Sequence, residues 1–530
     1  MMLKLPDCPL SGYNGRNSSC SEIVDLARRV WMALSSFSPA RVLALAMFLL
    51  LAGCRAVPHP ATGMPSRQFQ LTDGDRVLVL VPHPDDEVLG AGGVLREAVS
   101  RGLPVRVVFL THGDSNEWSF LAFRKRPVVM PRAVLAMGEI RQREALAAAE
   151  ALGVPTADLT FLGYPDYGTL AIWRSHWGGQ RPPDRGRLTR ARAVPYPAAF
   201  RPGAPFKGEE ILTDLEAILR DFRPTRIFVS HPADHHPDHA ALYLFTRVAL
   251  WDLQGETPEI SATLHPFLVH YPRWPRVKGF RPGDEMSPPA RLLAGFTWQT
   301  RELSKEEMAA KRQALTAHRT QYGYSASRLL PFVRANELYG DLAIPALASG
   351  AGAVRLLDEP ALEDVAEPAP AGDDEEEPSE IVDLQDLSVR LVRDQVEIGM
   401  DLRRPLPEGS AVSLSAFGYR PGLSFAGMPK LELRIEPHAY TVRDQGRSLP
   451  RSTVGAAAKG RQLAARIPLS SLGNPQRLFL QVRTSTPRTP LGQTPWWIVE
   501  LRGTPGVQRA AQEPTAAPVV EARADIAAPR

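Results

Sequence analysis

Val77-Leu78-Val79-Leu80-Val81-Pro82-His83-Pro84-Asp85-Asp86-Glu87 couples an uninterrupted apolar run to a dense polar cluster. Five apolar residues with no polar alternation predict a strand buried on both faces, as in a parallel sheet. Leu89 to Ser100, entered through Gly90, Gly92 and Gly93, reads as a helix, and Val105 to Leu110 as a second buried strand. That is a β-α-β unit. The rhythm repeats downstream: helix Glu139 to Leu152 stopped by Gly153, a short strand Thr160 to Leu162, helix Glu209 to Phe222, and strand Arg226 to Ser230. A second polar cluster follows that last strand: His231-Pro232-Ala233-Asp234-His235-His236-Pro237-Asp238-His239. In a parallel α/β sheet the carboxyl ends of the strands open on one edge, so clusters far apart in sequence converge there.

His83 and Asp86, three residues apart, can reach one cation, and His239 supplies a third ligand while leaving a position for water. Asp85 then points elsewhere and is free to act as a base; His236 can give a hydrogen bond or proton, and Asp238 can fix an imidazole tautomer. Glu87 is expected to bond loop amides. Cys8, Cys20 and Cys54 are the three cysteines of the 530 residues, so no cysteine-based metal site or internal disulfide follows residue 54. A net charge of +4 with dispersed Lys and Arg gives no signal for nucleic acid or for a polybasic membrane surface.

These residues resemble the PIG-L/LmbE family of metal-dependent N-acetylglucosaminyl de-N-acetylases, which carry a strand, a His-Pro-Asp-Asp-Glu motif and a later His-Pro-Asp-His. The resemblance implies a Rossmann-like α/β fold, zinc held by His83, Asp86 and His239 with ferrous iron as the other option, Asp85 as base and His236 as electrophilic or acid partner. Thr111-His112-Gly113-Asp114, Arg141-Gln142-Arg143-Glu144 and Gly163-Tyr164-Pro165-Asp166 extend the likeness. Arg141 and Asp166 could grip a sugar hydroxyl or order the loops. Two departures stand out. Pro82 replaces the usual small residue before His83, and the inserts Asn116 to Met137 and Trp173 to Lys207 are expected to overhang the site.

Val42 to Leu51 is too short for a comfortable membrane span and reads as a signal h-region. Leu51-Ala52-Gly53-Cys54 looks like a bacterial lipobox, implying lipidation at Cys54 and a place in the cell envelope, with a start at Met32 leaving a short basic n-region. The expected organisation is a signal segment 1–54, a tether 55–72, an α/β deacetylase domain 73–350, an acidic linker 351–383, an all-β sandwich 384–503 and a disordered tail 504–530. Clean alternation in Val396 to Leu402, Leu431 to Ile435, Leu463 to Ile467 and Leu478 to Val482 carries the sandwich. Trp496-Trp497 gives it a weak likeness to family-nine carbohydrate-binding modules, one of the two tryptophans being expected in the core. The expected partner is an amino sugar or glycoconjugate that loses its N-acetyl group; the alternatives are an amidase for a larger acyl conjugate and a non-catalytic glycan-binding lipoprotein.

Overall fold

The computed structural model describes residues 67–116, 130–179, 181–256, 260–275, 278–293, 295–358, 384–486 and 490–502. Cys54, the signal segment, residues 55–66 of the tether, most of the acidic linker, the tail and residues 117–129 of the first insert lie outside these; residues 67–72, expected in the tether, belong to the fold instead, because Arg67 and Gln68 pair with Gln299 and Thr300 and Phe69 and Leu71 are buried.

Strands β1 (Val77–Val81), β2 (Val105–Thr111), β3 (Leu159–Tyr164), β4 (Arg226–Ser230) and β5 (Thr263–Phe267) form a parallel sheet in the order β3-β2-β1-β4-β5. All five residues of β1 are buried, because the sheet is covered on both faces. Chain order reverses between β1 and β4, which are direct neighbours. The crevice at their carboxyl ends is the topological switch point, where ligands of open α/β sheets bind. Both histidine clusters leave the sheet there.

Helix α1 (Asp86–Ser100) starts inside the first cluster and breaks at Ala91, where φ is −140°. The glycines around the break are required by close packing: a Cβ on Gly90 would fall 2.1 Å from the Phe267 ring, and one on Gly93 2.9 Å from Leu303. Glu337 satisfies the amides freed at the break, accepting from Gly93 and Val94 at 2.8 and 3.2 Å, and pairs with buried Lys311 at 2.7 Å. Lys311 belongs to α6 (Lys305–Ala317), numbered after α2 (Pro131–Leu152), α3 (Thr169–Ser175), α4 (Gly208–Phe222) and α5 (Pro237–Asp252). Its amino end carries the capping box that Ser304 and Glu307 announce. Helix α2 begins eight residues earlier than the Ala-rich run suggests, so Pro131 to Met137, expected in the first insert, is helix. Strands β6 (Phe296–Glu302) and β7 (Asn336–Leu342) make an antiparallel pair beside β5.

The C-terminal region is antiparallel and β-rich. One sheet has five strands, Val354–Asp358, Leu384–Val392, Gln395–Leu402, Gln462–Pro468 and Gly455–Lys459. The other centres on Ala411–Tyr419 paired with Lys430–Ile435 and Arg477–Ser485, and Ala346–Ala348 joins its far edge through Trp497–Arg502. Ala411–Tyr419 is buried along both faces except at Ser413. One side of that sheet lies against the α/β domain: Trp173 of α3 is enclosed by Phe245, Phe417, Phe425, Phe479 and Trp496, with ring centroids 4.9–6.3 Å away. Trp496 and Trp497 are 0% and 3% exposed, so neither offers a sugar-stacking platform. Trp173 and Trp177, read as part of an overhanging insert, are instead core residues of this contact.

Candidate metal and catalytic site

After β1 the chain turns at Pro82-His83-Pro84. Pro82 has no N–H to donate, but its carbonyl still joins the sheet edge, accepting from the Thr111 amide at 2.9 Å and the Thr111 hydroxyl at 3.0 Å. Asp85 follows with φ 123°, a left-handed strain that a non-glycine residue sustains only where its surroundings impose it. Three groups do so. The Asp85 amide donates to Glu87 Oε2 at 2.9 Å, Glu87 Oε1 meets His318 Nε2 at 2.7 Å, and Arg141 donates to the carbonyls of Pro84 and Gly113 at 2.5 and 2.6 Å. Arg141 is buried and stands behind Asp85, its Nη2 3.4 Å from Asp85 Oδ1. Glu87 bonds a loop amide as its position implied.

The second cluster is organised by a helix start. His236 is the N-cap of α5, Pro237 and Asp238 fill its first turn, and His239 comes one residue later, facing inward and fully buried. His83 Nδ1 and His239 Nε2 each lie 3.2 Å from Asp86 Oδ2. Nitrogens of His83, His236 and His239 fall within 4.8 Å of one another. The structure thus brings together His83, Asp86, His239 and His236, with Asp85 adjacent. The outward nitrogens have carboxylate partners: His83 Nε2 is 3.1 Å from Asp166 and 3.2 Å from Asp238, and His239 Nδ1 is 3.2 Å from Asp234. Such partners fix ring orientation and leave the inner nitrogens free to ligate.

Asp238 also accepts from the amides of Tyr167 and Thr169 at 2.6 and 3.0 Å and from the Thr169 hydroxyl at 2.5 Å, tying α5 to the loop after β3. Asp166 in that loop takes the Ser115 amide at 2.7 Å. His112, from the motif after β2, is buried and stacked 3.6 Å from Tyr196 of the second insert, whose hydroxyl bonds Asp114. His270 and His318 were not singled out in the sequence, and neither was a role for Asp234. Asp234 has a local signal, since it is a turn residue whose carboxylate takes the amides of His236, Val269 and His270. His318 lies 231 residues from Glu87 and has none.

The electrostatics fit a cation. Burial works against protonation of His83 and His239, yet Asp166, Asp238 and Asp86 raise His83 well above its usual value, and Asp234 and Asp86 raise His239 to about 9. Imidazoles pushed toward the cationic form by converging carboxylates mark a place that needs positive charge. Two imidazole nitrogens, each 3.2 Å from one carboxylate oxygen, are donors of the kind that suits zinc or ferrous iron. Burial lifts Asp85 to about 7, with Arg141 opposing the shift and Asp86 adding to it. Burial and the imidazoles of His83, His270 and His239 hold His236 well below its usual value, so it is neutral. Its Nδ1 accepts from the Asp238 amide at 3.3 Å, which leaves the proton on Nε2.

Residues 78–250 match the PIG-L family, described as GlcNAc-PI de-N-acetylase. The chain is 32% identical over 204 residues to 1D-myo-inositol 2-acetamido-2-deoxy-alpha-D-glucopyranoside deacetylase 1 of Saccharopolyspora erythraea, covering 37% of this chain and 58% of that one. It is 29% identical over 169 residues to the probable N-acetyl-alpha-D-glucosaminyl L-malate deacetylase 2 of Bacillus cereus, covering 31% and 56%. Over 268 residues it is 28% identical to the inositol-conjugate deacetylase of Nocardia farcinica, covering 46% and 80%. The chain spans little more than half the length of the first of these relatives.

Proposed function

We propose that the PIG-L family domain at residues 78–250 makes this chain a metal-dependent hydrolase that removes the N-acetyl group of an N-acetylglucosamine-type conjugate. One observation carries the reading: His83 Nδ1 and His239 Nε2 meet at a single Asp86 oxygen beside a strained, braced Asp85. His83, Asp86 and His239 would hold the ion, zinc by this donor set, with ferrous iron sharing the same preference. When bound, the ion supplies Lewis acidity toward the amide carbonyl and the attacking water.

The chain's own residues do the rest. Asp85 takes the proton of the water that attacks the acetyl carbon. The Nε2–H of neutral His236 donates to the former carbonyl oxygen as negative charge builds there. The C–N bond then breaks as Asp85 returns its proton to the nitrogen, giving acetate and the free amine. Glu87 and Arg141 hold the Asp85 turn, while Asp234, Asp166 and Asp238 orient the two ligating imidazoles.

Zinc-loaded chain offered N-acetylglucosamine conjugates and their longer N-acyl counterparts tests this. Acetate with an equal amount of amine is expected, and exclusive release of a longer acid would make the enzyme an amidase of a different class. His239→Ala should lose bound metal; full occupancy in that variant would remove His239 from the ligand set. The same reading includes lipidation at Cys54 and residence in the cell envelope, supported by Leu51-Ala52-Gly53-Cys54 after an apolar run. Labelling with a palmitate analogue should disappear in Cys54→Ala, and labelling that persists would discard the anchor.

A further inference from the structure

Where the C-terminal sheet meets helix α3, apolar packing gives way to charge. Phe417 and Phe479 of that sheet lie against Trp173. Side chains two residues apart on a strand share a face, so the next row on this face is Ser415 flanked by Glu432 and Gln481, and the row after it Ser413 flanked by Arg434 and Arg483. Arg174 follows Trp173 on α3 and reaches these rows. Its Nη2 donates to Gln481 Oε1 at 2.5 Å, and its guanidinium lies 5.7 Å from the centre of the Trp496 ring.

This polar seam is short of partners. Ser415 and Gln481 are 0% and 2% exposed. Among the described residues Ser415 Oγ, Arg174 Nε, Arg483 Nε and Glu432 Oε1 have no hydrogen-bond partner, although all four atoms are shielded from solvent. Glu432 Oε1 stands 3.7 Å from Arg483 Nη2, beyond hydrogen-bond reach. The neighbouring groups are already engaged: Arg434 pairs with Glu436 at 3.0 Å, and the Gln481 amide donates to the Thr494 carbonyl at 3.1 Å. Two guanidinium groups facing one carboxylate leave a positive charge over. Burial lowers Arg174 to about 9, with Arg483 adding to the shift and Glu432 opposing it; burial lowers Arg483 too, again against Glu432. The Arg483 and Glu432 side chains are 36% and 31% exposed, so the seam opens to solvent on their side. Buried guanidinium donors without acceptors cost free energy, and an oxoanion in fork contact offsets that cost.

We propose that the seam between α3 and the C-terminal sheet is a carboxylate-binding site, in which Arg174 and Arg483 donate to the carboxylate through their Nε–H groups and Ser415 through its hydroxyl. A single negative charge balances the seam, whereas a dianion beside Glu432 would leave it negative. The carboxylate belongs to a free small acid or to the acid group of a saccharide. The site lies apart from the metal-binding cluster and is joined to it by two contacts. The Trp496 amide donates to the Pro232 carbonyl at 3.4 Å, and α3 begins at Thr169, which Asp238 grips. A bound carboxylate thus ties the C-terminal sheet to the helix that leads into the cluster.

Thermal unfolding of the zinc-loaded full chain, with sodium acetate replacing sodium chloride at constant ionic strength, tests the site. The midpoint should rise by about 1–2 °C once acetate exceeds its Kd about 10-fold. Arg174→Gln and Arg483→Gln should each abolish that rise. Glu432→Gln should lower the acetate Kd about 3-fold, because it removes the one carboxylate that competes for the two arginines, a gain that a purely structural role would not give. Sodium glucuronate matching acetate assigns the site to an acidic saccharide, and a response to acetate alone assigns it to a free small acid. No rise in the unaltered chain, or a rise undiminished in both arginine variants, which would place the acetate on the zinc, overturns the site. So does a larger rise with inorganic phosphate than with acetate, or an unchanged acetate Kd in Glu432→Gln.

Discussion

Trp173→Ala tests whether the C-terminal β-region is part of the same cooperative unit as the α/β domain. Trp173 is fully buried, stacked on Phe425 at 4.9 Å and edge-on to Phe245, Phe479 and Trp496, so it belongs to both parts of the molecule at once. Truncating a buried aromatic costs about 3–5 kcal/mol, from lost transfer energy and the cavity left behind. A second variant calibrates the first. Among the described residues Trp173 Nε1 has no acceptor, so Trp173→Phe removes an unsatisfied N–H and should cost less than about 2 kcal/mol. Urea unfolding followed by circular dichroism and by tryptophan fluorescence should show coincident transitions in the unaltered chain and a Trp173→Ala midpoint shifted by the larger amount. Two separate transitions, or a Trp173→Ala loss below about 1 kcal/mol, would refute an interface that behaves as core. Helix α3 starts at Thr169, which Asp238 grips, so the same variant should also lower turnover.

Further outcomes follow from individual contacts. Burial depresses His265, packed against Phe69 and Phe228, to about 4; the unfolded chain takes up that proton near 6.5, so stability should fall as pH drops from 6.5 to 4, by up to about 3 kcal/mol. His265→Phe should flatten that acid-side slope in denaturant titrations, and an unchanged slope would rule His265 out as its source. Lys311→Met removes the cation paired with buried Glu337 and should cost about 3–5 kcal/mol, and the loss in Lys311→Met with Glu337→Leu should be smaller than the sum of the two single losses; strict additivity would mean the pair is not coupled. Glu87→Ala releases the Asp85 amide and should lower kcat about 10–100-fold with metal content intact, a combination that loss of a ligand would not give.

The parts of the fold that depend on neighbours in sequence were readable from it. Val77 to Val81 and Arg226 to Ser230 are strands at the stated bounds, and the Ser304–Glu307 box starts its helix, because burial period and capping are local signals. The convergence of His83, Asp86, His236 and His239 was readable too, since parallel strands deliver their ends to one edge. What could not be read depends on distant surfaces meeting. Ala411–Tyr419 alternates imperfectly because its second face is covered by the α/β domain, and Trp173 looked like insert because most of its partners lie in the C-terminal region, some 240 to 320 residues away. The Glu87–His318 bond and the His83–Asp166 contact join separate loops and carry no pattern of spacing. For Arg141 the sequence left two roles open, and the structure places it on the Pro84 and Gly113 carbonyls, bracing the Asp85 turn.

The division of labour between a metal-holding set and a separate base is the account's central claim, and Asp85→Asn examines it in one preparation. Zinc-loaded Asp85→Asn assayed for acetate release from an N-acetylglucosamine conjugate should hold as much zinc per chain as the unaltered protein takes up, while its turnover falls at least about 100-fold. Turnover near that of the unaltered protein with the ion retained would contradict the assignment of Asp85 as the base.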